Sequence, residues 1–210
     1  MTVRVAIVDS GINPDHPHVG GVTGGVYFHA EGESPDFVDR IGHGTAVAGV
    51  IREKAPTAEL YAVRIFGSRL TASIDTLMRG LDWCLCHGIQ VVNLSIGTAN
   101  EQHRSRFQAY LRRACAQDVF VVSAANMLPG SLEGAIGVGS DAECDRDTCR
   151  FQDGTFLASP YPRSIPGVAR GVNLHGVSFA IANCTGLLAR LMESNAPAEA
   201  YREFRASAER

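Results

Sequence analysis

The sequence predicts an α/β fold: a mainly parallel sheet with helices on both faces, forming a three-layer sandwich. Two observations carry this. Short, nearly continuous apolar runs recur along the chain, as in strands buried on both sides, and segments of helical periodicity alternate with them. A third sets the scale, because 210 residues with 45% apolar content can bury one sizeable core. The whole chain, 1–210, is therefore expected to fold as one domain.

The runs at 3–8, 59–64, 90–94, 119–124 and 135–138 read as strands. Ile74, Leu77, Met78, Leu81 and Leu85 recur at helical spacing, with Ser73 placed to cap that helix and Gly88 to stop it. Phe107, Tyr110, Leu111 and Ala114 form a second helical face, and Leu187, Leu188, Leu191 and Met192 a third. Pro197 opens a last short helix whose Tyr201 and Phe204 face inward. The stretch 128–175, rich in Gly, Pro, Asp and Ser, reads as loops around one strand.

Composition excludes several classes of partner. The 19 basic and 22 acidic residues are mixed along the chain and leave a net charge of −3, so no footprint for nucleic acid or an anionic membrane stands out. No apolar run approaches the roughly 20 residues of a spanning helix, and the N-terminus enters a strand directly without the pattern of a secretory signal. The expectation is a cytoplasmic protein that acts on a protein or peptide. Six cysteines are scattered along the chain. Cys84 and Cys86 lie two apart on a helix, where side chains diverge, so no metal is expected there. Cys144 and Cys149 share a polar loop and are the pair expected to bridge in an oxidising setting.

Three segments carry chemistry. The first strand ends at Asp9 in DSGI, which puts a carboxylate just past the C-terminal end of a buried strand, where functional groups of parallel sheets collect. HGTAVAGVI places His43 at the start of a helix whose small residues allow close packing. GVSFAIANCTG sets Ser178 between a glycine and a small-residue helix, with its hydroxyl exposed and backbone N–H groups nearby. Singly, each is more often a turn, capping or core residue. Together, in the order Asp, His, Ser, they match the arrangement of one class of acyl-transfer triad.

The local sequences resemble the signature blocks of the subtilisin family: DSGI, HGTAVAG for the usual HGTHVAG, and GVSFA for the usual GTSMA. Between them YAVRIF, VVNLSIG and VVSAAN resemble that family's YAVKVL, VINMSLG and VVAAGN, in the same order. The resemblance implies a serine endopeptidase that works through an acyl-enzyme without a cofactor. In it Ser178 attacks the scissile carbonyl, His43 takes and returns the proton, and Asp9 orients the imidazole. It further implies that Asn126 joins the Ser178 backbone N–H in the oxyanion hole. Ser95, Ile96 and Gly97 would form one wall of the pocket for the residue before the scissile bond, and Ala124 and Ala125 the other.

The chain also departs from that pattern. Ala125 stands where a glycine usually precedes the oxyanion asparagine, so a narrower pocket for small or medium apolar side chains is expected. Val177 replaces a threonine whose hydroxyl supports the oxyanion hole, Ala46 replaces a second histidine, and Ala182 replaces a proline. The segment REKAPTAEL passes straight to the next strand without the insertion that in many subtilisins wraps calcium, so no calcium is expected there. The domain is expected to work without a propeptide, which points to narrow specificity, for instance processing of a precursor peptide, or to control by a regulatory partner. Two other readings stay open: a peptide-binding pseudoprotease, and a transpeptidase or esterase using the same triad.

Overall fold

A computed structural model describes residues 2–169 and 172–209. Its nine strands form one sheet in the order β3-β2-β4-β1-β5-β6-β7-β9-β8. These are β1 (Arg4–Asp9), β2 (Gly24–His29), β3 (Gly32–Ser34), β4 (Glu59–Arg64), β5 (Val91–Leu94), β6 (Phe120–Ala124), β7 (Ile136–Ser140), β8 (Cys149–Gln152) and β9 (Thr155–Ala158). Strands β2, β4, β1, β5, β6, β7 and β9 pair in parallel, and the outermost strands β3 and β8 pair antiparallel to their neighbours.

Alternation along the strands divides the core into two layers. Val5 and Ile7 of β1 point into one layer with α1 (His43–Lys54), α4 (Val177–Met192) and α5 (Pro197–Ala208). Ala6 and Val8 point into the other with α2 (Ile74–Cys86) and α3 (Arg104–Cys115). Helices therefore cover both faces, as the sequence predicts. Helix α4 is buried on nearly every side, consistent with its apolar composition all round. It crosses α1 so closely that a Cβ on Gly186 would stand 2.7 Å from the Lys54 Cβ.

The five predicted strands are present, with ends shifted by one or two residues. Ser73 caps α2 by accepting from the Thr76 N–H at 3.1 Å, and Gly88 follows with φ of 64°, a left-handed conformation that ends the helix. Pro197 opens α5, and Phe204 is buried against Phe156 with ring centroids 4.7 Å apart.

Two expectations are corrected. Among its described residues the stretch 128–175 holds three strands rather than one: besides β7, β8 and β9 form a hairpin around Asp153 and Gly154, whose φ values of 49° and 80° suit a tight two-residue turn. Cys144 and Cys149 are not bridged. The Cys149 side chain turns under α4 and meets the Cys184 Sγ at 3.0 Å, while the Cys144 thiol points to Asp141 Oδ2 and the Leu157 carbonyl. All six cysteines are free.

Strand order reverses at β1. From there the chain first adds β2 and β4 on one side and then β5 and its successors on the other. Such a switch point opens a crevice beyond the carboxyl ends of the strands. Asp9 ends β1, Ser95 follows β5 and Asn126 follows β6, so all three lie at that end of the sheet.

Candidate active site

The site begins with a close approach. Gly44, the second residue of α1, lies so near the end of β1 that a Cβ there would be 2.2 Å from the Gly11 carbonyl oxygen and 3.2 Å from the Asp9 Cβ. Only glycine lets α1 come down on the strand end, and this sets His43 directly over Asp9. The turn is stitched to the helix by two further bonds: Gly44 N–H to Ser10 Oγ at 2.9 Å, and Asn13 N–H to Thr45 Oγ1 at 3.0 Å.

His43 Nδ1 lies 2.8 Å from Asp9 Oδ1. Asp9 is fully buried, and the same oxygen also accepts the Ser10 N–H at 2.7 Å. An ionised carboxylate can only accept, so Nδ1 carries the proton and Nε2 keeps its lone pair for another group. Burial of the imidazole favours its neutral form, but the hydrogen bond and charge of Asp9, aided by the charge of Asp39, outweigh burial and raise the His43 pKa above its ordinary 6.5.

Asp39 is a residue that sequence reasoning missed. Its carboxylate accepts four bonds: the Ile41 and Gly42 N–H groups, both at 2.8 Å, the Thr45 N–H at 2.9 Å and the Thr45 hydroxyl at 2.6 Å. It thereby caps the start of α1 and fixes the helix turn that presents His43. Burial acts to raise its pKa, yet these donors prevail and hold the carboxyl below its usual value. An Asp shortly before a glycine and a helix start was the available signal.

Ser178 stands in the first turn of α4 and is half-exposed. Gly176, the capping residue, has φ of 146°, a conformation that side chains rarely adopt, and its N–H is anchored to the Pro160 carbonyl at 2.9 Å. The Phe179 N–H turns back to the Gly176 carbonyl, whereas the Ser178 N–H has no backbone acceptor among the described residues. The Phe179 ring packs against the His43 ring with centroids 5.8 Å apart, which brings the start of α4 beside the start of α1. No hydrogen bond joins the Ser178 hydroxyl to His43 in this structure.

Asn126 follows β6 in an exposed turn, and Ala125 N–H is held by the Val138 carbonyl at 2.9 Å. Ser95, Ile96 and Gly97 follow β5, and the backbone groups of Ile96 and Gly97 have no backbone partner among the described residues. Ser95 is fixed from beneath by a buried relay, since Thr185 of α4 donates to Asn93 Oδ1 at 3.0 Å and Asn93 Nδ2 donates to Ser95 Oγ at 3.1 Å. Ala124 is buried at the end of β6, and the Ala125 methyl faces Gly137 of β7. A cavity of about 310 Å³ lies beyond Ile96 against Leu70, Ile74 and Leu77. Another of about 400 Å³ opens at the start of α1, between His16, Ala46, Arg163 and Leu174.

The strand-end carboxylate, the helix-start imidazole over it and the serine at the start of the neighbouring helix correspond in kind and order to an acyl-transfer site. Comparison with known proteins decides the lineage: the model of the subtilase family matches residues 1–206. The chain belongs to the subtilase family. It is 30% identical over 92% of its length to M-protease of Shouchella clausii (strain KSM-K16), of which it spans 54%, and equally identical over the same share to Subtilisin Savinase of Lederbergia lenta, of which it spans 77%. The crystal structure of a cold adapted subtilisin-like serine proteinase superposes with a TM-score of 0.71 at 22% identity, covering 94% of this chain and 79% of that one, which establishes the shared fold. Among the described residues of this subtilase, no three or more His, Cys, Asp or Glu side chains gather as a cation site needs, and no helix is long and apolar enough to cross a membrane.

Proposed function

We propose that this subtilase is a serine endopeptidase in which Asp9, His43 and Ser178 form the triad and Asn126 assists the oxyanion. The observation that carries the reading is the Asp9–His43 couple, 2.8 Å long, with its imidazole packed against the residue that follows Ser178. Family membership and the names of the relatives support the activity.

An extended peptide lies along the free backbone of Ile96 and Gly97 as an added strand, which brings its scissile carbonyl to Ser178. His43 Nε2 takes the hydroxyl proton as Ser178 Oγ bonds to the carbonyl carbon. The Ser178 N–H and the Asn126 amide hold the developing oxyanion, and the imidazolium is stabilised by Asp9. His43 then protonates the leaving amine, and water releases the acyl group by the same steps in reverse.

The single domain 1–210 acts in the cytoplasm on a specific protein or precursor peptide, under the control of narrow specificity or a regulatory partner. Six free thiols, Cys86 and Cys115 exposed among them, suit a reducing compartment. The activity is tested by incubating the folded chain with a fluorophosphonate and an unstructured protein substrate. Modification of Ser178, located by mass spectrometry, together with new N-termini in the substrate is the expected result. A folded chain that takes no label is a peptide-binding pseudoprotease, and one whose acyl-enzyme passes mainly to added amines is a transpeptidase.

A further inference from the structure

The two segments that should flank the residue before the scissile bond meet just beyond the residues proposed as its walls. They extend from neighbouring parallel strands, with Leu94 of β5 in register with Ser123 of β6, and run on to Gly97 on one side and Met127 on the other. A Cβ placed on Gly97 would lie 2.7 Å from the Met127 Cβ, 3.3 Å from its Sδ and 2.9 Å from the Leu128 carbonyl oxygen. No side-chain atom fits in that gap. One residue further the walls are joined outright, by Thr98 N–H to Leu128 O at 3.1 Å and Leu128 N–H to Thr98 O at 2.9 Å.

The floor beneath is filled by the same segment. Leu128 is buried in the α2–α3 layer. The chain then turns tightly, with Ser131 N–H on the Met127 carbonyl and Leu132 N–H on the Pro129 carbonyl, both at 2.9 Å. Gly130 presses so hard on the end of β6 that a Cβ there would be 2.2 Å from the Ala124 carbonyl oxygen, and one on Gly137 of β7 would be 2.7 Å from the Gly130 carbonyl oxygen. Segment 127–135 leads directly into β7, so no longer loop provides a deeper floor.

We infer that Met127 and the Thr98–Leu128 bridge close this pocket, so that the enzyme cleaves after glycine or alanine and Met127 is the residue that rejects larger side chains. The inference rests on the peptidase reading above and sharpens its substrate class. It also moves the cause of selectivity away from Ala125, whose methyl points to β7. Forcing a leucine or phenylalanine into a closed, well-packed slot is an overpacking problem, in which each added methylene is resisted.

The test compares peptidyl diphenyl phosphonates that differ only in the residue next to phosphorus (Gly, Ala, Leu or Phe), reading the rate of Ser178 modification by mass spectrometry. The alanine probe is expected to react about 10²-fold faster than the phenylalanine probe. Met127→Gly, which removes the Cβ as well as the Sδ, should speed the leucine and phenylalanine probes about tenfold relative to the alanine probe. Equal rates for alanine and phenylalanine in the wild type would overturn the inference, even if the variant failed to fold. So would an unchanged profile in a folded Met127→Gly variant. Failure of every peptidyl probe on protein that a small fluorophosphonate does label also overturns it, because the slot must admit the smallest members. Protein that no probe labels removes the peptidase reading itself, a different failure.

Discussion

The two halves of the proposed catalytic site are built differently. Asp9 and His43 form a finished unit: the carboxylate is buried, the imidazole sits at the start of a helix capped by Asp39, and Gly44 presses that helix onto the strand end. Ser178 and Asn126 are half-exposed and exposed, and the Ser178 backbone N–H has no backbone partner among the described residues. The difference teaches a division of labour. In the proposed roles, the proton-accepting half is organised before substrate arrives, at the cost of burying a carboxylate, while the nucleophile and oxyanion donors stay free for groups that only substrate supplies.

The comparison can be broken at either half. Ser178→Ala should have the largest effect, a fall in kcat of about 10⁶-fold in a folded protein, the loss that subtilisin itself shows, measured on a protein substrate by the appearance of new N-termini. Asp9→Asn should lower kcat by about 10⁴-fold while leaving the protein able to bind peptide, again the scale known from subtilisin and other triads. Asn126→Ala should slow turnover by about 10² to 10³-fold with little change in KM, as for subtilisin's own oxyanion asparagine. A variant that raised KM alone would place Asn126 in ground-state binding instead. Asp39→Ala should have the smallest catalytic effect and act through the helix start, with a loss of about 1 to 2 kcal/mol in chemical denaturation. A folded Asp39→Ala protein of unchanged stability would show that this cap does not hold the His43 turn.

Much of this was legible in the sequence because each residue of the proposed triad lies at the end of a regular element with a recognisable signature. Asp9 closes an apolar strand, while His43 and Ser178 begin helices rich in small residues. Asp39 was harder to see, since its role depends on four donors that converge only after the loop before α1 folds. Strands β2 and β3 also escaped notice. Gly24 and Gly25 open β2 without an apolar run, although a Cβ on Gly25 would strike the Ala62 carbonyl oxygen at 2.5 Å, so glycine is what lets this strand lie against β4. The β8–β9 hairpin carried a readable Asp-Gly turn signal within a stretch dominated by loop residues. Cysteine spacing misled because side-chain direction is set by the fold: the Cys149 thiol faces Cys184 of α4, whereas the Cys144 thiol faces Asp141 and the Leu157 carbonyl. The contact of Met127 with Gly97 is a matter of tertiary placement, which neither residue announces alone.

The central claim, that a preassembled Asp9–His43 couple activates Ser178, is tested most directly by the pH dependence of Ser178 phosphonylation in the wild type and in Asp9→Asn. Only the neutral imidazole can take the serine proton. Because Asp9 outweighs burial and raises the His43 pKa above 6.5, reactivity in the wild type should be lost as pH falls through a midpoint above 6.5. In Asp9→Asn, where burial is no longer opposed by that charge, the remaining reactivity should persist to lower pH. A midpoint that is the same in both proteins, or that moves upward in the variant, would contradict the account.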